Sequence, residues 1–379
     1  MHHRTAEFRD IFVRTLADLK TFVGTRNDVL ILAASGSGAM EASVSNLTSP
    51  GDKVVVLSAG KFGERWRDLA KAFGCQVELV SAPYGQTFDL SQVKAKLGGA
   101  RALYMQATET STGARHDVQG VASLLQGSDT LFVVDAITGL GTTHFDVDGW
   151  GIDILIGGSQ KAVMIPPGLS YLAISQRAWD RMESSYNPRY YFDLRKERKN
   201  AKNGESAYTP AVALIAALGA SLDYIAHQAA TPENPAGDLV AGRMKLVENA
   251  ETIAEMTRAA VSALGMKLFS PDCPAAAATA VLAPDGVDSS VVVKELKSRF
   301  GSIIANGQGE MKGKIFRIAH LGFFDYMDCI ALIGALEQVV AKSFPSPSFA
   351  FGNGLIAAQK VFAERSPTAA EDACRCTHK

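Results

Sequence analysis

Lys161 stands in the stretch Gly157-Gly158-Ser159-Gln160-Lys161, just beyond the apolar run Ile152 to Ile156. Asp135 closes an earlier apolar run, Leu131-Phe132-Val133-Val134-Asp135. The two residue types do complementary chemistry. An amine in an apolar pocket has its ammonium form disfavoured by desolvation and is able to condense with an aldehyde. A carboxylate delivered from a strand end is able to hold an aromatic ring nitrogen protonated, so that the ring accepts electrons from a substrate carbanion. Pyridoxal phosphate asks both services of a protein. Taken singly, each residue has a plainer reading: Lys161 as a surface loop lysine, Asp135 as a turn residue or helix cap.

Three further groups could join them. Ser35-Gly36-Ser37-Gly38 lies between a strand-like run ending at Ala33 and a helical run from Ala39 to Leu47. Its backbone N–H groups would point outward at a helix N-terminus and form an anion cup. Glu41 occupies the third glycine position of a dinucleotide fingerprint, and the P-loop lysine is missing, so a single phosphate fits better. A tight strand-to-helix turn would need the same small residues. Phe62, in Lys61-Phe62-Gly63, follows the run Val54 to Leu57 and would reach the C-terminal sheet edge, to stack on a ring or simply to fill core. Arg317 interrupts the apolar segment Phe316-Arg317-Ile318, a costly position unless it meets an anion such as a substrate carboxylate.

Strand-like runs at Val29–Ala33, Val54–Leu57, Val77–Val80, Ala102–Met105 and Leu131–Val134 alternate with helical patterns at Phe8–Phe22, Glu64–Phe73, Leu90–Leu97 and Val118–Leu125. Continuous apolar strands alternating with helices predict an α/β fold, with a mostly parallel central sheet and helices on both faces. Two more runs, Ile152–Ile156 and Leu169–Ile174, surround Lys161, and a helical stretch ends near Ala230. The segment Thr231 to Gly237 reads as a boundary, giving a large domain over 1–235 and a smaller α+β domain over 236–379 with a disordered tail from about 366. In the smaller part we expect a helix over Leu239–Leu264, strands at Ala278–Leu282 and Ile315–Ile318, and helices at Ser290–Phe300 and Tyr326–Val340.

A chain of 379 residues, 47% hydrophobic and with a formal net charge of -1, builds a large core and offers no electrostatic footprint for nucleic acid or an anionic membrane. The locally basic segment Arg189 to Lys202 reads as a solvated surface stretch. Neither a membrane span nor a secretory signal is evident, and five cysteines, an odd number without a framework, suit a reducing interior, so the expected compartment is the cytoplasm. Cys374, Cys376 and His378 supply too few ligands for a metal site, and none is expected.

In order along the chain, Ser35-Gly36-Ser37-Gly38, Glu109-Thr110-Ser111-Thr112-Gly113, Val134-Asp135-Ala136, Gly158-Ser159-Gln160-Lys161-Ala162, Pro166-Pro167-Gly168 and Phe316-Arg317-Ile318 resemble the class V aminotransferases of PLP fold type I. The likeness is to the alanine:glyoxylate and serine:pyruvate group. It implies that Lys161 joins the cofactor aldehyde and shuttles a proton as general base and acid, and that Asp135 pairs with the ring nitrogen. It further implies that Ser37, Gly38 and Gln160 hold the phosphate, that Phe62 stacks on the ring, and that Thr110 lies by its polar edge. A homodimer with shared active sites is implied, Thr209 reaching the neighbour's phosphate, and Arg317 would bind the α-carboxylate of both substrates.

The implied reaction is ping-pong transamination between a small amino acid of alanine, serine or glycine type and glyoxylate or pyruvate. A ureidoglycine:glyoxylate aminotransferase would use the same residues. Alternatives are a cysteine desulfurase or related lyase, for which Cys329 reads as core and Gln160 replaces the usual histidine, and a non-catalytic subunit of the same fold. Ala39 and Ser206 replace a histidine and a tyrosine found in some relatives, so fewer phosphate hydrogen bonds are expected. Relatives carry a Pro-Gly-Pro-rich arm before the His-His-Arg segment; here Met1 precedes it directly, and a truncated N-terminus is the expectation.

Overall fold

The computed structural model describes residues 1–345, 347 and 349–365. The tail from about 366, with Cys374, Cys376 and His378, lies outside the described residues. Two compact units result: one takes in 1–247 with the short returns 272–274 and 321–323, the other 248–271, 275–320 and the described residues from 324.

In the first unit the elements follow as α1 (Ala6–Val23), β1 (Asp28–Leu32), α2 (Gly36–Leu47), β2 (Lys53–Ser58), α3 (Lys61–Ala72), β3 (Gln76–Ser81), α4 (Leu90–Lys96) and β4 (Ala102–Gln106). A two-stranded hairpin, β5 (Thr108–Glu109) with β6 (Ala114–Arg115), precedes α5 (Val118–Leu125), β7 (Leu131–Asp135), β8 (Ile154–Gly158) and β9 (Ser170–Ile174). Three helices follow, α6 (Gln176–Met182), α7 (Leu194–Ala201) and α8 (Val212–His227), and α9 (Leu239–Ala263) then carries the chain across the division between the units. The Pro- and Gly-containing segment 231–237 is thus the connection from α8 to α9, within the first unit.

Seven strands form one sheet in the order β1-β9-β8-β7-β4-β2-β3. The four pairings among β3, β2, β4, β7 and β8 are parallel, while β9 runs antiparallel between β8 and β1. The period-2 alternation of a strand splits each apolar run between two cores. Val55, Leu103, Val134 and Leu155 pack on one face with Phe12 of α1 and Leu222 of α8. Val54, Tyr104, Val133 and Ile156 pack on the other with Met40 of α2 and Trp66 of α3. Both faces being covered is why these strands are apolar throughout.

The basic segment 189–202 departs from the expected solvated stretch. Within it α7 buries Leu194 and Glu197, and Arg189 is half-buried, its guanidinium donating to the carbonyls of Ser45 (3.1 Å) and Ser185 (3.1 Å). Charge density alone could not reveal that Arg189 serves as an internal donor to the carbonyls of buried Ser45 and Ser185.

The second unit carries β10 (Ala278–Leu282), α10 (Ser290–Phe300), β11 (Ala305–Asn306), β12 (Ile315–Ala319), α11 (Tyr326–Ser343) and α12 (Asn353–Arg365). Its antiparallel sheet, ordered β10-β12-β11, buries Val281, Phe316 and Ile318 against Leu296 of α10 and Leu336 of α11. Glu337 of α11 is buried and accepts from the backbone N–H groups of Gly354 (2.9 Å) and Leu355 (3.1 Å), which fastens the first turn of α12.

Candidate active site

β1, β2, β4, β7 and β8 run the same way, so the loops that follow them leave the sheet at one edge, the edge at which open α/β sheets bind ligands. A cavity of about 160 Å³ lies there. Six residues singled out in the sequence line it together: Ser37, Phe62, Thr110, Asp135, Gln160 and Lys161.

Lys161 lies in the turn after β8, and that turn is tightly held. A Cβ on Gly157 would stand 1.9 Å from the ring of Tyr171 on the paired strand β9, so glycine is what lets that buried ring lie across the strand there. Buried Ser159 donates its hydroxyl to Pro166 O (2.9 Å) and accepts from Leu169 N (3.2 Å), while Met164 N–H donates to Lys161 O (3.0 Å). Met164 pays for this closure with a φ of 58°, a left-handed conformation worth roughly 1–2 kcal/mol of strain in a non-glycine residue.

Asp135 is the last residue of β7 and only 5% exposed. Burial pushes its carboxyl up to about 6, with the negative charge of Glu109 adding to the rise. The Ile137 N–H, donating to Oδ1 at 2.9 Å, and the charges of Lys161 and Arg65 pull the other way. A desolvated carboxyl that lines a cavity is relieved by a cationic N–H donor, and a pyridinium nitrogen is such a donor.

Two helix N-termini face this cavity region. The first, of α2, has Ser35 as N-cap with no side-chain cap hydrogen bond, and Ser35, Gly36 and Ser37 line the cavity. A Cβ on Gly36 would meet Ile137 Cδ1 at 2.2 Å, so a side chain there would push against another residue of the cavity lining. Gly38 is not among the lining residues: its N–H donates to Ser35 O (2.9 Å) and is turned into the helix. Of the expected cup segment 35–38, positions 35–37 therefore line the cavity and Gly38 does not, because the helix starts at Gly36 and its first turn takes up the Gly38 amide.

The second N-terminus, of α3, is filled from within the protein. Glu109, fully buried, accepts from Phe62 N (3.1 Å), Gly63 N (3.2 Å), Ser111 N (3.2 Å), Ser111 Oγ (2.5 Å) and Gln106 Nε2 (3.2 Å). Burial raises its proton affinity and these donors oppose the rise. The result is a fixed platform for Phe62 at the cavity wall. Arg65, one helical turn on, places its guanidinium 4.9 Å from the Phe62 ring centre and donates to Ser37 Oγ at 2.8 Å. Thr110 Oγ1 donates to Thr138 Oγ1 (2.9 Å).

Ser35 and Gly36 of the expected cup segment also line the cavity, and Arg65, Thr108, Ile137 and Thr138, which had not been singled out by residue type, complete it. Arg65 was legible in principle, since positions i and i+3 share a helix face and Phe62 was already at the site. The other side of the ledger is Thr209, which is exposed and lines a separate cavity of about 400 Å³ with His3, Arg4 and Tyr208. Arg317 belongs to the second unit: it lies on β12, is 8% exposed, and its Nη2 donates to Asn306 O at 2.8 Å.

The donor set fits pyridoxal phosphate: a lysine amine, a buried carboxyl with a raised proton affinity, an uncapped helix N-terminus and an aromatic ring share one cavity. Cys329 is 1% exposed and burial pushes its thiol up to about 11, which keeps it protonated and unlike a sulfur nucleophile. Among the described residues there is no cluster of three or more His, Cys, Asp or Glu that could hold a metal ion.

Comparison with known proteins agrees with this chemistry. The family model described as aminotransferase class-V matches residues 1–269. The small subunit of a soluble hydrogenase from Synechococcus sp. (strain PCC 6716) is 38% identical over 365 residues, 95% of this chain and 91% of that protein. L-Aspartate--glyoxylate aminotransferase of Paracoccus denitrificans is 30% identical, covering 98% of this chain and 92% of its own. The crystal structure of alanine--glyoxylate aminotransferase from Nostoc sp. superposes with a TM-score of 0.82 at 29% identity, over 90% of this chain and 89% of that one.

Proposed function

The chain belongs to the class-V aminotransferases, enzymes of PLP fold type I, and from that membership we propose a transamination between a small amino acid and glyoxylate or pyruvate. Its cofactor is pyridoxal phosphate, which when bound supplies an electrophilic aldehyde and a ring that takes up electrons. The observation that carries the reading is that Lys161, Asp135 and the uncapped N-terminus of α2 share one cavity. The acceptor is favoured by the relatives in Paracoccus and Nostoc, both named for glyoxylate.

In this reading Lys161 Nζ moves a proton at the substrate Cα, as base in one half of the ping-pong cycle and as acid in the other. Asp135 holds the proton on the ring nitrogen, and its elevated proton affinity suits it to share that proton. The α2 N-terminus with Ser37 and Gln160 binds the phosphate. Phe62 orients the ring face, and Thr110, tied to Thr138, flanks its polar edge. Arg317 binds the substrate α-carboxylate. The active form is a homodimer in which exposed Thr209 contacts the neighbour's cofactor phosphate, working in the cytoplasm; among the described residues no helix is long and apolar enough to cross a membrane.

A visible spectrum tests this. Added pyridoxal phosphate should produce a band in the near-ultraviolet to violet that shifts when alanine, serine or glycine is supplied, and a panel of these donors and aspartate against glyoxylate and pyruvate ranks the substrates. Absence of any band would leave a non-catalytic subunit, the reading suggested by the name of the Synechococcus relative.

A further inference from the structure

We propose that Arg65 supplies the formal positive charge that balances the cofactor phosphate, acting at the open N-terminus of α2 through its hydrogen bond to Ser37 and its seat on Phe62. This rests on the assignment of the cavity to pyridoxal phosphate and adds a residue to it.

Charge balance leads to Arg65. A phosphate ester carries about −1.5 to −2 charges near neutral pH, whereas a helix N-terminus offers roughly +0.5. Hydroxyls and amides add donors but no net charge. Among the residues that line the cavity the cations are Lys161 and Arg65, and the proposed function commits Lys161 to the aldehyde end. Arg65 is therefore the cation left for the phosphate end.

Geometry puts it there. Its Nη1 donates to Ser37 Oγ at 2.8 Å, within the first turn of α2. Its Cζ lies 4.9 Å from the centre of the Phe62 ring, which braces the guanidinium plane. The turn that carries both residues is fastened by Glu109 through Phe62 N and Gly63 N, so the fork is presented from a rigid element. A guanidinium has further N–H donors beyond the one spent on Ser37, enough to bind a phosphate through two oxygens. The charge is also felt at Asp135, where it lowers the carboxyl's proton affinity.

The test compares two aldehydes that differ only in the phosphate. Wild-type protein, Arg65→Met and Arg65→Lys are each titrated with pyridoxal phosphate and with pyridoxal, the visible band reporting binding and thermal melting reporting the fold. Loss of a charge-assisted contact should weaken pyridoxal phosphate by about 10- to 100-fold in Arg65→Met, with Arg65→Lys in between and pyridoxal changed less than about 3-fold. An equal loss for both aldehydes would overturn the proposal, because Arg65 would then be acting on the ring through Phe62. An unchanged affinity for pyridoxal phosphate would overturn it too. If Arg65→Met does not fold, the same ratio is read from Arg65→Lys, where the phosphate-specific loss should still appear. Wild-type protein that binds neither aldehyde would instead remove the cofactor assignment, a result visible before any variant is made.

Discussion

The N-termini of α2 and α3 emerge from the same edge of one sheet, linked by the Arg65 to Ser37 hydrogen bond, yet their exposed amides meet opposite fates. At α3 the N-cap is Gly60, which has no side chain, and the carboxylate of Glu109 arrives from the β5 hairpin to take the N–H groups of Phe62 and Gly63. At α2 Ser35 makes no side-chain cap and the first turn opens onto a cavity. A helix start that brings its own anion is a piece of scaffold, whereas one that opens uncapped onto a cavity is available to an anion from outside. The second unit repeats the closed arrangement with Glu337 at α12.

If this contrast is right, variants on the open side should lose chemistry while keeping the fold, and variants on the closed side should lose stability. The largest expected effect is Lys161→Ala, with turnover reduced on the order of 10⁴-fold or more and thermal melting nearly unchanged. Residual turnover within tenfold of wild type would end the mechanism. Arg317→Ala extends the contrast to the substrate anion: KM for both substrates should rise by about 10- to 100-fold with a smaller change in kcat, because a carboxylate contact is shared by ground and transition states. Steady-state kinetics with unchanged KM values would strip Arg317 of that role alone.

Glu109→Ala probes the closed side. It leaves several buried donors without an acceptor and should cost about 3 kcal/mol in denaturant unfolding. A variant as stable as wild type would show that both N-termini are equally open. The last effect is electrostatic and is read on the apoprotein. Burial raises the Asp135 carboxyl from 3.8 to about 6, so the folded state holds that proton more tightly than the unfolded chain. Its contribution is then fully present below pH 4 and is lost as the pH rises through 6, by about 3 kcal/mol at most. Asp135→Asn should remove this loss and gain on wild type in melting temperature as the pH goes from 4 to 8. A difference that stays constant with pH would contradict the account. The comparison between variants also cancels the opposite trend from His116 and His320, which burial holds near 3 and which favour folding above pH 6.5.

Much of the site was readable before any coordinates. Asp135 and Lys161 each end or follow an apolar strand, and in a mostly parallel sheet such positions converge on one edge, so their types and order were informative. Arg65 was hidden in plain view as one of many surface-type arginines. Glu109 was visible as part of a Glu-Thr-Ser-Thr-Gly segment, but nothing in its neighbours announced that its partners were the amides of residues 62 and 63. The inward turn of the Gly38 amide was not legible, because the start of a helix depends on its first backbone hydrogen bonds, which residue types do not specify.

The amino-acid order by itself determined the α/β class, the apolar strands and the order in which the lysine, carboxylate and glycine-rich turn appear, because period, polarity and turn chemistry are local properties. Only the tertiary structure decided which helix start would stay open. That outcome depends on whether a carboxylate from elsewhere in the chain reaches the exposed amides, as Glu109 reaches α3, and such an encounter is set by the packing of strands far apart in sequence.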